Sequence, residues 1–175
     1  RGGQQLEAGN LQAALDKYRQ ALEYSPENEG LRRAIADLEA QIEQEKQQTA
    51  FRSHYNEGRE LLRAGQYEEA KAALEKAQSV ASDSQSVDEA LQEVNRLLEE
   101  QGRRTEAYEQ FRARGDSLFE AGKFSEAIAR YEEALALRPD DDYVQRRIEA
   151  ATQEQEAMRL AREEMQEQRR KRQML

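Results

Sequence analysis

Apolar residues recur along this chain at spacings of three and four, which is the periodicity of an amphipathic α-helix. One stripe holds Leu31, Ile35, Leu38 and Ile42, and another holds Val87, Leu91, Val94 and Leu98. Both have the spacing of a coiled-coil seam. The β-branched residues typical of strands are scarce, with 4 Val, 4 Ile and 3 Thr. The pattern therefore predicts an all-α protein.

A short motif occurs three times and marks an internal repeat. Its copies are Ala8–Ala14, Ala64–Ala70 and Ala121–Ala127. In each, a glycine follows the first alanine, and large residues stand two and nine positions after the glycine. Glycine after a helical run permits a left-handed turn. The motif therefore predicts a tight turn between two antiparallel helices, with alanines leaving room for a close approach.

A second pattern lies upstream of the motif, on the predicted first helix of each pair. It places a bulky residue, a glycine and a leucine at spacings of four and three, as in His54, Gly58 and Leu61, and in Phe111, Gly115 and Leu118. These positions share one helix face. The first copy lacks this pattern because the chain begins inside the corresponding helix.

Together these residues resemble the tetratricopeptide repeat (TPR), a helix–turn–helix unit of about 34 residues. Residues 108–141 carry the most complete signature, with Phe111, Gly115, Leu118, Gly122, Phe124, Ala127, Tyr131, Ala134 and Pro139. Residues 51–84 depart from it at His54, Leu74 and Ser82. The resemblance implies a TPR-like helical repeat, or α-solenoid, that acts as a scaffold for protein–protein interaction.

The period departs from the family, because the motif glycines Gly9, Gly65 and Gly122 lie much farther apart than one such unit. The additional residues carry the helical stripes described above, so we expect long helices to alternate with short ones of about 15 residues. The second long helix is either continuous or broken near Gly102. One interior glycine costs only about 1 kcal/mol, which favours continuity.

This organisation divides the chain into four segments. We expect a truncated unit with its linking helix at 1–50, a unit with its linking helix at 51–107, a unit at 108–141, and a long helix with a basic end at 142–175. The chain resembles an excerpt from a longer protein, since it begins and ends within helices. The compartment is unknown, with the cytoplasm slightly favoured; no signal peptide is visible, but an excerpt would not show one.

Composition excludes several kinds of chemistry. The chain has no cysteine, which excludes disulfides, zinc–thiolate sites and cysteine nucleophiles. His54 is the single histidine and is expected to be a packing residue. The net charge of −9 argues against nucleic acid as the main ligand. We expect no enzymatic activity, no cofactor and no metal.

Proline and polar residues predict where two later helices begin. Asp140–Asp142 follow Pro139, and Ser25 precedes Pro26. The aspartates lack the alternating ligands and the glycine of a calcium-binding loop. Capping of the next helix explains them more simply, since aspartate and serine are preferred N-cap residues.

The resemblance also implies where a partner binds, because the family commonly uses the face of the first helix in each unit. In the second unit this face holds Arg52, Tyr55, Asn56, Arg59 and Arg63, which is basic with one aromatic residue. In the third unit it holds Arg112, Asp116 and Glu120, which is mixed to acidic. A basic, aromatic face suits an acidic peptide. The alternative is that the face is only solvated, or is covered by the long helices.

Two further interpretations stay open. The seams of the long helices would suit a structural spacer or a homo-oligomer. The basic run Arg169, Arg170, Lys171 and Arg172 would suit contact with an anionic surface such as a membrane. It would equally suit the negative end of a helix dipole.

Overall fold

The computed structural model describes residues 2–81 and 84–174, with side chains from residue 10 onwards. Within those ranges it holds six helices and no strand. They are α1 (Gly2–Tyr24), α2 (Glu29–Arg63), α3 (Tyr67–Val80), α4 (Gln85–Glu120), α5 (Phe124–Leu137) and α6 (Asp142–Gln173). The predicted all-α repeat of alternating long and short helices is confirmed. Ser82, the expected counterpart of Pro139, lies outside the described residues.

The second long helix, α4, is continuous over 36 residues and passes through Gly102. A Cβ atom at Gly102 would meet nothing within 4 Å, so no packing demands glycine there. The alternative of a break is therefore wrong. The cost of a single glycine is small compared with the hydrogen bonds of an uninterrupted helix.

The predicted turns occur in the second and third copies of the motif. Gly65 and Gly122 adopt left-handed backbone, with φ of 75° and 70°. In each turn the glycine N–H donates to a carbonyl three residues earlier, at 3.1 Å for Gly65 and 2.9 Å for Gly122. These bonds satisfy carbonyls that the ending helix leaves unpaired.

The first copy of the motif does not turn, which corrects the expectation at Gly9. Helix α1 runs without interruption from Gly2 to Tyr24. The described chain holds no long helix before Gly9 on which the rest of α1 could pack back, so nothing holds a turn closed there. Tyr18 is consequently 40% exposed, whereas Leu74 and Tyr131, at the same motif position, are fully buried.

The chain forms two compact units, Arg1–Leu98 and Glu99–Leu175. In the first, α3 buries Ala70, Leu74 and Ala77 in a core that α4 completes with Val87, Ala90 and Val94. Leu91 and Leu98 pack against the same core. The apolar stripe of α4 is therefore covered from within the unit.

A close crossing of α2 and α3 organises the first unit. Gly58 is buried, and a Cβ atom placed on it would lie 2.6 Å from Leu74 Cγ and 2.9 Å from Leu74 Cδ2. Real Cβ atoms do not approach other heavy atoms so closely. The absence of a side chain at Gly58 is what admits the leucine.

The second unit repeats this crossing between α4 and α5. A Cβ atom on Gly115 would lie 2.5 to 3.0 Å from three carbons of the Tyr131 ring. Tyr131 is fully buried in a core that includes Leu118, Ala127, Ala134 and Val144. The alanines predicted to permit close approach, Ala127 and Ala134, are both fully buried.

Capping side chains fix the starts of two long helices. The Asp141 carboxylate accepts from the Val144 N–H at 3.0 Å, which confirms capping within the run of aspartates. At α2 the cap is Asn28, which accepts from the Leu31 N–H at 3.1 Å. The expectation for Ser25 is thus wrong, because the chain makes one more turn after Pro26 before the helix begins.

The last helix changes character along its length. Val144 and Ala151 are fully buried in the second unit. From Thr152 to Met174 every residue is exposed. Among the described residues, no helix combines the length and the apolar character needed to cross a membrane.

The glycine crossing yields a first test. Gly115→Ala is expected to lower the free energy of unfolding by about 1–3 kcal/mol, because the new methyl group must displace the Tyr131 ring. Gly102→Ala is the matched control within the same helix. It is expected to raise stability by about 0.5–1 kcal/mol, since alanine is the better helix former. Urea unfolding followed by circular dichroism measures both, and equal stability of the two variants would contradict the crossing.

Candidate partner-binding faces

The α2 face is defined by the five positions predicted in the second unit. Arg52, Asn56 and Arg63 are exposed, whereas Tyr55 and Arg59 are half-buried. The five residues recur along one side of the last part of α2, at helical spacing. The face is therefore accessible, and its one aromatic residue is partly withdrawn into the unit.

Tyr55 owes its position to stacking. Its ring lies parallel to that of Phe51, one helical turn earlier, with centroids 5.9 Å apart and planes at 4°. Both rings pack against the core of the first unit. Tyr55 is thus held rigidly, which lowers the entropy lost when a ligand contacts its edge.

The three arginines of the α2 face differ in their partners. Arg59 pairs with Glu93 of α4 at 3.5 Å, and both side chains are at least a third exposed. Such a pair contributes little because water screens it. Arg52 and Arg63 make no ion pair with any residue that the structure describes. Two cations of this face are consequently available to an incoming anion.

The α4 face comprises Arg112, Asp116 and Glu120 with their neighbours Glu109 and Ala113. Its centre is Asp116, whose carboxylate oxygen Oδ1 accepts three hydrogen bonds. The donors are the Tyr131 hydroxyl at 2.7 Å, the Tyr143 hydroxyl at 2.8 Å and Arg147 Nε at 3.2 Å. Asp116 therefore ties α4 to both α5 and α6, and its charge is already paired with Arg147.

The same contacts change the pKa values of the two tyrosines. Burial, and then donation to Asp116, raise the pKa of Tyr131 above its usual value. Both causes also raise the pKa of Tyr143. The two hydroxyls therefore stay protonated in ordinary buffers and act as hydrogen-bond donors. They contribute structure at this site and no acid–base chemistry at neutral pH.

Arginines and aromatic rings interleave beside Asp116. Arg147 lies over the Phe119 ring with 4.0 Å to its centroid, and Arg138 lies over the Tyr108 ring at 3.9 Å. These distances are those of cation–π contacts. Arg112 lies 5.9 Å from the centroids of both Tyr108 and Tyr143. The arrangement holds the guanidinium groups against rings of the same unit.

Acidic side chains form ion pairs with the arginines at the α4 face. Arg112 contacts Glu109 at 2.6 Å, and the same glutamate lies 4.0 Å from Arg138. Arg147 is paired with Asp116. Glu120, by contrast, is exposed at the end of α4. Apart from Glu120, the predicted charges of this face are thus engaged within the unit.

Asp141 is a second polar centre of the unit. Besides capping α6, it accepts a hydrogen bond from the Tyr108 hydroxyl. That bond, together with the Val144 N–H, lowers the pKa of the Asp141 carboxyl. In the part of the chain that the structure describes, no three acidic or histidine side chains come together as a metal site would require.

The network residues on α5 and α6 were not among the predicted site residues. Tyr143 and Arg147 stand one turn apart on α6, and this spacing is the signal that could have identified them. The equivalent positions of the first unit hold Ser86 and Ala90. The first unit therefore has no equivalent network, and comparison of the two units in the sequence shows the difference.

Two other predicted features lie away from both faces. His54 is half-buried, its Nδ1 has no hydrogen-bond partner among the described residues, and Glu57 lies 3.8 Å away. The basic run Arg169–Arg172 is fully exposed in the last turns of α6. Within it Lys171 pairs with Glu167 at 2.7 Å.

Family comparisons match the chain at two places. A family model described as tetratricopeptide repeat matches residues 51–84, and one described as TPR repeat matches residues 115–148. The first match covers the end of α2 and all of α3. The second begins at Gly115 and continues through α5 into α6. No curated protein and no solved structure matches the chain significantly.

The Asp116 network yields a second test. Asp116→Ala is expected to destabilise the second unit by about 1–3 kcal/mol, because three donors lose their shared acceptor. Arg59→Ala, at the equivalent position of the first unit, is the control and is expected to cost at most about 1 kcal/mol. Hydrogen–deuterium exchange of α5 and of α3 reports each unit separately. Equal losses of protection in the two variants would argue against a structural role of the network.

Asp141 yields a prediction on pH. Its folded-state pKa lies below the unfolded value of 3.8, so its stabilisation is complete above that value. It is lost as the pH falls through the folded-state pKa. At pH 7, Asp141→Ala is expected to lower stability by about 1–2 kcal/mol through loss of the cap. The difference from the wild type should shrink below about pH 4.

The exposed neighbour provides the control for this pH series. Asp140→Ala removes a carboxyl one residue away that does not cap the helix, and it should change stability little at any pH. Thermal unfolding at several pH values measures all three proteins. A difference between wild type and Asp141→Ala that stays constant from pH 7 to about pH 3 would contradict the assigned role.

Proposed function

We propose that this chain is a non-catalytic scaffold that binds a peptide segment of another protein, because it carries tetratricopeptide repeats at residues 51–84 and 115–148. TPR repeats generally mediate protein–protein interaction. Within the chain, the proposal assigns the peptide to the α2 face. The proposed peptide is rich in acidic residues.

The observation that carries the proposal is a pair of arginines on that face that form no ion pair with any described residue. Arg52 and Arg63 are exposed and about 16 Å apart along the helix, at about 1.5 Å per residue. Asn56 lies between them, with both a donor and an acceptor in its amide. A peptide in this position would meet a cation at each end and an amide near the middle.

The chemistry of arginine favours carboxylates as ligands. A guanidinium group donates two parallel hydrogen bonds to a carboxylate, and such charge-assisted bonds are stronger than neutral ones. The stacked Tyr55 offers a ring edge and a hydroxyl beside these cations. An extended or helical peptide with two acidic residues and one large apolar residue would match this set.

The α4 face is the weaker candidate for the same role. Arg112 is already paired with Glu109, and Arg147 beside it is paired with Asp116. A ligand carboxylate would have to displace these partners, and the displaced acids would then repel it. This difference favours the first unit as the site of peptide binding.

The alternative function is a structural spacer or an oligomerisation module built on the long helices. The seam of α4 is buried within the first unit, where Val87 and Val94 are fully covered. Pairing through that seam would require the unit to open. The alternative therefore loses its most regular candidate surface, and peptide binding is the better-supported function.

Charge reversal on the face tests the proposal. The probe is a set of fluorescein-labelled peptides of about twelve residues, rich in Asp and Glu and with one aromatic residue. Arg52→Glu combined with Arg63→Glu is expected to weaken binding at least about tenfold, through loss of two charge-assisted contacts. Fluorescence anisotropy at near-physiological salt provides the affinities.

A second charge reversal gives the matched control. Arg103→Glu combined with Arg104→Glu makes the same change in net charge at two exposed positions in the middle of α4. This variant should bind within about twofold of the wild type at near-physiological salt. Equal weakening in both variants would indicate unspecific attraction. Unchanged binding in the Arg52 and Arg63 variant would remove the α2 face from consideration.

A further inference from the structure

The outer half of α6 has no packing partner within the described chain. From Thr152 to Gln173 the helix continues for about six turns with every residue exposed. Isolated helices of this length are marginal in water, and most helices in proteins are stabilised by packing one face. This segment is the longest stretch of the described chain in which every residue is exposed.

An apolar seam continues from the packed half into the exposed half. Val144, Ala151, Met158 and Met165 follow one another at intervals of seven, so they lie close to one helix face. The first two are fully buried in the second unit. The last two lie on the same face and are 46% and 65% exposed. The seam therefore extends beyond the part that α5 covers.

A short helix cannot cover this extension in the way that α3 and α5 cover α2 and α4. Those crossings require a glycine, and the position of α6 equivalent to Gly115 in α4 holds Arg172. A side chain there would block the approach of a large residue such as Tyr131. A helix that covers this extension would therefore lie side by side with it, without a glycine crossing.

The charge pattern of the segment is complementary to itself when reversed. Residues 152–167 hold five glutamates and two arginines, whereas residues 169–172 are all basic. We propose that the outer half of α6 pairs antiparallel with the same segment of a second copy of this chain. A parallel pair would place the two basic runs together and the two acidic stretches together.

The register follows from the seam. When Met158 of one copy lies opposite Met165 of the other, Glu154 lies near Arg169 of its partner. The overlap is about 30 Å long at about 1.5 Å per residue. The overlap spans residues 152–171 and ends where α6 enters the core of the second unit at Ala151.

A membrane is the less favoured occupant of the same segment. The basic run would be attracted to an anionic lipid surface. The five glutamates that precede it would be repelled by the same surface, and the seam offers only two large apolar side chains. In the antiparallel pair, Glu154 of each copy faces Arg169 and Glu164 faces Arg159 of the other copy, whereas Glu156 faces Glu167.

The first experiment measures the mass of the full chain in solution. Light scattering after size exclusion, from about 1 to about 200 µM, should reveal a concentration-dependent dimer. Met158→Asp should weaken dimerisation at least about tenfold, because it places a charge in the seam. Leu160→Asp is the matched control, since Leu160 is 48% exposed on the opposite side of the same helix. It should dimerise like the wild type.

Several results of this experiment would overturn the proposed dimer. A wild type that stays monomeric up to the highest concentration overturns the proposal, as does equal behaviour of Met158→Asp and Leu160→Asp. If the wild-type monomer binds vesicles of acidic lipid and a variant lacking residues 169–175 does not, a membrane is the partner instead. The aspartate variants are at exposed positions, and circular dichroism verifies that both keep their helix content.

Disulfide trapping tests the direction of pairing, and the absence of cysteine makes introduced thiols unique. A mixture of Gln155→Cys and Gln168→Cys chains should form the mixed disulfide, because these positions lie at the same level in the antiparallel register. Gln155→Cys alone should cross-link poorly, since its two copies would be about 20 Å apart. Efficient cross-linking of Gln155→Cys with itself would mean parallel pairing and would overturn the proposal.

Discussion

The rest of the structure depends on the close crossing between the end of each long helix and the short helix that follows it. Gly58 admits Leu74, and Gly115 admits Tyr131, at distances that no Cβ atom tolerates. Because the two backbones approach so closely, the alanines of the short helix become fully buried. The turn glycines then need only reverse the chain. Removing the space at either crossing would separate the helices and expose the core that the next long helix completes.

The side chain that inserts at each crossing also determines whether the charges of the neighbouring helix face are accessible to a partner. Tyr131 carries a hydroxyl to the far side of the crossing, where it donates to Asp116 and accepts from Arg147. The acidic centre of the α4 face is thereby engaged within the unit. Leu74 brings no polar atom to the equivalent place. Arg59 consequently forms only a solvent-screened pair, and the α2 face keeps its cations accessible.

Local signals were sufficient for most of the fold. The spacing of apolar residues predicted the long and short helices, and the glycines predicted two of the three turns, because both effects act within a few residues. The turn at Gly9 failed because its stability depends on a packed partner helix, which is a non-local condition. Tyr143 and Arg147 escaped prediction for the same reason. Their spacing of one turn is visible in the sequence, but their role depends on contact with Asp116, about thirty positions earlier, which that spacing does not reveal.

The long helix α4 serves two cores, and this double use explains why the motif returns at so long a period. The first part of α4 completes the core around α3, and its last part supports the crossing with α5. Helix α6 begins in the same way, but its outer half relies on pairs within the helix, from Arg159 to Glu163 and from Lys171 to Glu167. Such exposed pairs are weak substitutes for packing. Within the described chain the outer half of α6 therefore keeps an uncovered face, and Arg172 does not leave the space that the glycine crossings use.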